Sequence, residues 1–288
     1  MAHAKVKLIP RKQALVDKGR TLKGKTLRVA VSIESRMAES ILKAIDRMTR
    51  ETEREIRKLF EADNYAGDYG MDANIGAQAR ILMNGLNVQF DQMFARVATP
   101  ITETMLDQVD KNSAATLKSS LLDMAGTMTF KTDIMTGPLQ EMIAASAAES
   151  VALIKRVPAK YLDQITGNVM RAITQGNGLQ DIVPMLEKQK VQVRNWAQNV
   201  AMDQTRKVYN GLNAGRMQAL GIEKYRWVHS GGSNQPRDYH QHVLNGQIFS
   251  LDKDPVIQLK PRVRGKPGFL PYCRCTMCPV VEIDGKIV

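Results

Sequence analysis

The fold is decided over VQVRNWAQNVAMDQTRKVYNGLNAGRMQALGIEKYRWVHS, which runs from Val191 to Ser230. From Val191 to Leu220 the apolar residues Trp196, Val200, Ala201, Val208 and Leu212 fall on one face at helical spacing. Gly221 is a stop signal, and beyond it Tyr225, Trp227 and Val228 form a strand-like run. The chain changes character there, from helix to short strands.

Upstream of that point the sequence is helical almost throughout. From about Lys25 to Ala62, Met37, Ile41, Ala44, Met48, Ile56 and Leu59 make the apolar stripe of a long amphipathic helix. Asn64–Met71, with Gly67 and Gly70, is expected to be a loop, and Asp72 to cap a second helix. Its stripe is Ile75, Ala79, Leu82, Leu86, Phe90, Met93 and Val97, with an interruption expected at Pro100. The pattern resumes with Ile101, Met105, Val109, Leu117 and Leu121. Pro138 and Pro158 sit at first helical positions, the former ahead of Leu139, Ile143, Ala147, Val151 and Ile154. Pro158 precedes Leu162, Ile165, Val169 and Ile173, which end at Gly176 and Gly178, and a short helix follows over Leu179–Glu187. Downstream, Gln247–Phe249 and Thr276–Ile283 are further strands. The expected fold is mainly α with a small C-terminal α+β module: long amphipathic helices followed by short strands. Three regions are expected, a basic N-terminal arm over 1–36, a helical region over 37–190 and a C-terminal domain over 191–288.

Composition narrows the function classes. The 288 residues are 43% hydrophobic and 24% charged, which is a folded chain and excludes collagen, mucin and wholesale disorder. No stretch has the eighteen or so continuous apolar residues of a membrane span, and Met1–Gln13 has no continuous apolar stretch of the signal-peptide type. The methionines that dot these helices, among sixteen in the chain, are packing residues that fill irregular gaps. Much of the net charge of +12 is local: ten bases against Asp17 and Glu34 give +8 over residues 1–36. Lys5, Lys7, Arg11, Lys12, Lys18, Arg20, Lys23 and Lys25 are therefore candidates for contact with phosphates or an acidic protein face, the alternative being a solvated tail. Lys260, Arg262, Arg264 and Lys266 form a second basic stretch, expected to be a loop.

Three of the four histidines, His229, His240 and His242, and all three cysteines fall in the C-terminal part. An odd number of cysteines confined to Cys273–Cys278 argues against a disulfide framework and for a reducing compartment. Cys275-x-x-Cys278 has the spacing of half a structural zinc site, which Cys273 and either His240 or His242 would complete as a Cys3His shell. Alternatively, Cys273 and Cys275 alternate around Arg274 on a strand and are buried as small apolar residues. A catalytic arrangement would pair Cys273 with His240 and orient the ring through Asp238. No nucleophile elbow, paired carboxylates or His-Glu-x-x-His motif accompanies it, so an enzyme is not the expectation, and no cofactor beyond zinc is suggested.

The run Trp196–Lys207 followed by Asn213, Ala214, Arg216 and Gly221-Ile222 resembles the helix that opens the Mu F-like domain of tailed-phage minor head proteins. The resemblance continues through Trp227, Pro236-Arg237, His240, Leu244-Asn245-Gly246-Gln247-Ile248-Phe249, Pro267-Gly268 and Cys273-Arg274-Cys275 to the strand Pro279–Ile283. It covers about Val191–Ile283; Cys278 and His242 lie outside the family pattern. The resemblance implies a structural virion protein, assembled in the host cytoplasm and attached to the portal protein inside the head near the packaged genome. Major capsid or scaffold protein is a further implied partner, and head assembly, packaging and DNA ejection the implied roles. No base-reading helix is identifiable, so contact with double-stranded DNA would be nonspecific and salt-sensitive. An enzyme of nuclease or peptidase type, or a zinc-stabilised basic binding protein, are the alternatives. Arg237 and Arg274 are expected to bond carbonyls or a carboxylate, and the histidine and cysteines to close a module with little apolar core.

Overall fold

A computed structural model of the chain describes residues 20–62, 72–125, 131–231 and 236–283. Lys5, Lys7, Arg11, Lys12, Lys18 and the expected Asn64–Met71 loop lie outside the described residues. Among those described are five helices, α1 (Val31–Ala62), α2 (Asp72–Ala125), α3 (Gly137–Lys155), α4 (Val157–Gln175) and α5 (Leu179–Ala219). Six strands accompany them: β1 (Arg20–Lys23), β2 (Lys224–Val228), β3 (Ile248–Ser250), β4 (Val256–Gln258), β5 (Val263–Arg264) and β6 (Thr276–Ile283). The mainly α architecture with a small strand-bearing C-terminal part is as the sequence predicts. No described helix is long and apolar enough to cross a membrane.

Two expected breaks are absent. Pro100 does not end α2, and the stretch from Leu179 is not a separate helix but the start of α5, which passes through Pro184. Pro100 and Arg96 are both exposed, as are Pro184 and Gln180, so each carbonyl that loses its helical donor is left on a hydrated face. By contrast α4 begins and ends as predicted, with Pro158 in its first turn and Gly176 in the left-handed conformation (φ 69°) at its C-terminus. The apolar stripes are nearly in register. In α1 Ile45 and Phe60 are buried in place of the expected Ala44 and Leu59, and in α2 Met83, Phe94 and Ala98 replace Leu82, Met93 and Val97. In α3 the fully buried positions are Leu139, Ser146, Ser150 and Ile154, while Ile143, Ala147 and Val151 are only half-buried. A run of four-residue steps outpaces the 3.6-residue turn, so the side facing the core moves onto adjacent positions.

The described residues divide into two compact units. One comprises Met1–Glu34, Met105–Ser146 and Met202–Val288, the other Ser35–Thr104 and Ala147–Ala201, so the divide falls within four of the helices rather than following chain order. The described residues of the second unit carry helices and no strand, with Met37, Ile41, Met48, Phe90, Leu162 and Ile165 in the core. The first unit carries an antiparallel sheet in the order β1-β6-β2-β3 and a two-stranded ribbon of β4 and β5. The basic arm expected over 1–36 is therefore not an arm throughout. Its Arg20–Lys23 pairs with β6 in the register Arg20↔Ile283 to Lys23↔Val280, and Leu27 is fully buried. Burying a leucine contributes roughly 1.5–3 kcal/mol, which a solvated tail would forgo. The basic stretch Lys260–Lys266 likewise contains β5 rather than being all loop.

Candidate functional site

Within this unit the last part of α5 presents a buried polar face to its surroundings. Arg206 donates to both carboxylate oxygens of Glu34 (2.6 and 3.1 Å), and Tyr209 shares a 2.7 Å hydrogen bond with Thr116. Ser113 donates to Asn213 (3.0 Å), and Arg216 donates to the carboxylate and the backbone carbonyl of Asp110 (2.6 and 3.0 Å). Asn210 donates to the carbonyl of Cys275 (3.3 Å), and the Thr276 hydroxyl donates to the carbonyl of Leu27. These positions recur every three or four residues, so one helix face fixes α2, the chain leading into α1 and the start of β6. Such a face is favourable only when its members are satisfied, because each unpaired buried polar group costs about 1–3 kcal/mol.

Above this face the sequence-predicted residues assemble. Trp227 and Tyr225 point inward from β2, and the Trp227 ring meets the His240 ring edge-on at 5.3 Å. His240 lies on a single π-helical turn, Tyr239–Leu244, that the sequence does not signal, and is 2% exposed. Its Nε2 contacts the carbonyl of Ile257 on β4 at 2.9 Å, and its Nδ1 faces the sulfurs of Cys273 (3.5 Å) and Cys275 (3.6 Å). His229, which the sequence spacing does not single out, places its own Nδ1 3.5 Å from the Cys275 sulfur. Asn245 accepts the His229 backbone N–H (2.9 Å), and Gly246, at φ 83°, donates its N–H to the Trp227 carbonyl. Arg237 donates to the carbonyl of Pro271 (2.9 Å). Pro267 and Gly268 are buried, and a Cβ on Gly268 would come within 2.7 Å of the Asn210 amide. Tyr272, a non-glycine residue at φ 60°, has its N–H held by Asp203 (2.8 Å) just before Cys273.

Three residues weighed as candidates stand apart from the cluster. Cys278 does not join the cluster: its thiol donates to the carbonyl of Gly24 (2.9 Å), beside β1. His242 is exposed and also stands apart from it. Asp238 is exposed, and the contact at the far nitrogen of His240 is the Ile257 carbonyl, so the triad geometry is not present. Both cysteines are buried and Arg274 between them is exposed, as in the alternation read from the sequence, but the three residues precede β6 rather than lying on a strand.

Electrostatically the two thiols are unequal. The Cys275 thiol and the His240 ring hydrogen-bond Cys273 and hold its pKa well below the usual thiol value, while the proton shared with Cys273, with burial, pushes Cys275 far up. The Trp227 indole N–H favours a Cys275 thiolate, although it falls short of hydrogen-bond geometry. Burial raises Asp203 to about 6 despite the Tyr272 N–H. Of the basic candidates, Lys25 pairs with Asp123 (3.2 Å), Lys266 with Asp254 (2.7 Å), and Arg264 donates to the carbonyl of Asp254 (2.8 Å). Lys23, Lys260 and Arg262 are exposed.

A helical body ending in a small antiparallel sheet, sealed by a Trp–His–Cys cluster, defines the class of this molecule. Residues 163–278 match the profile of the family described as Phage Mu protein F like protein. The match begins within α4, ahead of the Val191 start suggested by the motifs. The chain is also 25% identical over 276 residues to an uncharacterized protein of Haemophilus influenzae, covering 94% of this chain. It spans 58% of that relative's length. No solved structure matches.

Proposed function

We propose that the protein is a structural minor head component of a tailed phage, bound at the portal inside the head, with roles in head assembly and in packaging or ejecting the genome. The observation that carries this is the family match over residues 163–278, which takes in His229, His240, Cys273 and Cys275 together. A structural role is also supported by the burial of Cys273 and His240, which closes both side chains to substrate. The protein would touch double-stranded DNA without sequence preference through the basic residues before Lys25 and through Lys260 and Arg262.

Mass spectrometry of purified virions and procapsids tests the assignment: the protein is expected in both, co-purifying with the portal protein, and absence from both refutes it. For the DNA contact, affinity of the full chain for duplexes of unrelated sequence should fall linearly on a log–log plot against salt. Replacing Lys260 and Arg262 by Glu should flatten that slope by roughly 0.9 for each phosphate that is no longer neutralised. A slope near zero in the unaltered protein rules the contact out.

A further inference from the structure

The residues that converge on His240 go beyond a sealed core. Three nitrogen-to-sulfur separations define the cluster: His240 Nδ1 to Cys273 Sγ at 3.5 Å, His240 Nδ1 to Cys275 Sγ at 3.6 Å, and His229 Nδ1 to Cys275 Sγ at 3.5 Å. Zinc binds thiolate at about 2.3 Å and imidazole at about 2.0–2.1 Å. In a tetrahedron those bonds put sulfur and nitrogen about 3.6 Å apart. Each of the three separations matches an edge of a zinc-sized tetrahedron; His229 reaches only the Cys275 sulfur at that distance, so its ring must turn inward to complete the shell. The ligand atoms of His240, Cys273 and Cys275 also lie within 4.8 Å of one another.

We infer that His229, His240, Cys273 and Cys275 form a structural Cys2His2 zinc site. The ligand chemistry favours zinc over the hard cations: two thiols, the His240 imidazole and no carboxylate in the group, with the His229 imidazole beside Cys275. The surroundings of the ligands fit as well. His240 Nε2 meets the Ile257 carbonyl and donates to it in the tautomer that leaves Nδ1 bare, the outer bond a metal-bound histidine normally makes. His229 is fixed through its backbone by Asn245, Cys275 through its carbonyl by Asn210, and Cys273 by its N–H to Leu270 and by the Tyr272 turn that precedes it. All four sites are therefore placed by bonds that do not involve the metal. Closing the site also makes physical sense where it sits, since β3, β4 and β5 are strands of two or three residues with little apolar surface of their own.

The test is zinc content of the full chain, purified without chelator and assayed by inductively coupled plasma mass spectrometry, and it is independent of any virion assignment. One zinc per chain is expected, with release on adding a mercurial. After zinc is removed, cobalt(II) should produce tetrahedral d–d bands and a thiolate charge-transfer band. Cys278→Ser and His242→Ala should keep one zinc, whereas Cys275→Ser should lose it. His229→Ala, whose ring is only half-buried, should stay folded by far-UV circular dichroism and bind cobalt at least about tenfold more weakly. That is the least expected from loss of an outer partner, and a ligand contributes no less. Zinc content near zero with no cobalt spectrum overturns the site. Retention of full affinity in folded His229→Ala, or loss of zinc in Cys278→Ser, overturns this ligand set. A disulfide between Cys273 and Cys275 under reducing purification would also refute it.

Discussion

Arg216 gives the sharpest test of the polar face on α5. Its side chain is fully buried, its two terminal nitrogens bond the carboxylate and the carbonyl of Asp110, and its Nε has no partner. Asp110, in contrast, is 37% exposed. The two ends of the pair therefore face different alternatives when the other is removed. Asp110→Ala leaves a guanidinium in the interior with one carbonyl for company. Breaking a buried pair this way costs about 3–5 kcal/mol, and the open flank at position 110 places this case near ~3. Arg216→Met removes the charge at similar volume and leaves a carboxylate that water can reach. Its cost is the loss of the two hydrogen bonds to Asp110, whose carbonyl keeps its donor within α2, about 1–2 kcal/mol. The double variant should then resemble Arg216→Met alone, giving a coupling of about 3 kcal/mol, the whole cost of Asp110→Ala. Urea unfolding followed by Trp227 fluorescence, in a Trp196→Phe background so that only this unit is reported, measures all three. If Arg216→Met costs as much as Asp110→Ala, or Asp110→Ala costs less than about 1 kcal/mol, the asymmetry argued from burial is wrong.

Four further outcomes are expected. Leu27→Ala should destabilise the same unit by about 3 kcal/mol in that assay, because a fully buried leucine is lost from a segment that pairs with β6; a change under about 0.5 would make it a tail after all. Gly268→Ala should cost about 2–3 kcal/mol, since φ is 81° and the new Cβ meets the Asn210 amide. Gly85→Ala, in the exposed interior of α2 with nothing within 4 Å, should instead stabilise by about 0.5–1 kcal/mol, and thermal melts of the pair that failed to differ in sign would refute both arguments. Asp203→Asn keeps the Oδ1 acceptor for Tyr272. Because the folded pKa of Asp203 is raised to about 6 from 3.8, the ionised form is disfavoured in the fold, so the wild type gains stability as pH falls through 6 toward 4. The Asn variant should be the more stable by about 1–2 kcal/mol at pH 8, a figure reduced for partial solvent exposure, and equal below pH 4. Parallel melts at the two pH values decide it, and a less stable variant at pH 8 would invert the sign.

Helix existence was legible because periodicity is a local signal, and the ends of α4 were legible because Pro158 and Gly176 act on their own backbone. The helix-interior prolines misled for the same reason: whether Pro100 breaks α2 depends on what faces the carbonyl it orphans, and that is decided by tertiary structure. β1 was invisible. Arg20-Thr21-Leu22-Lys23 is polar and short, and its partner Ile283–Val280 lies at the other end of the chain.

The cysteines show how a local motif can point the wrong way. Cys275-x-x-Cys278 has the spacing of half a zinc site, but that spacing brings two sulfurs together only on a turn. Here the chain is extended from Thr276, and in extended chain residues three apart face opposite sides while residues two apart share one. Cys278 is accordingly turned to Gly24, on the β1 side, and Cys273 and Cys275 converge on the histidines with Arg274 outward. The strand at Thr276–Ile283 is itself predicted from the sequence. Carried through by one residue to Cys275, that prediction argues against Cys278 as its partner, and in the proposed site the open place falls to a second histidine. His229 fills it from the end of β2, the strand paired with β6 through Val228↔Thr276, so the pairing that builds the sheet is also what brings the fourth donor to the third.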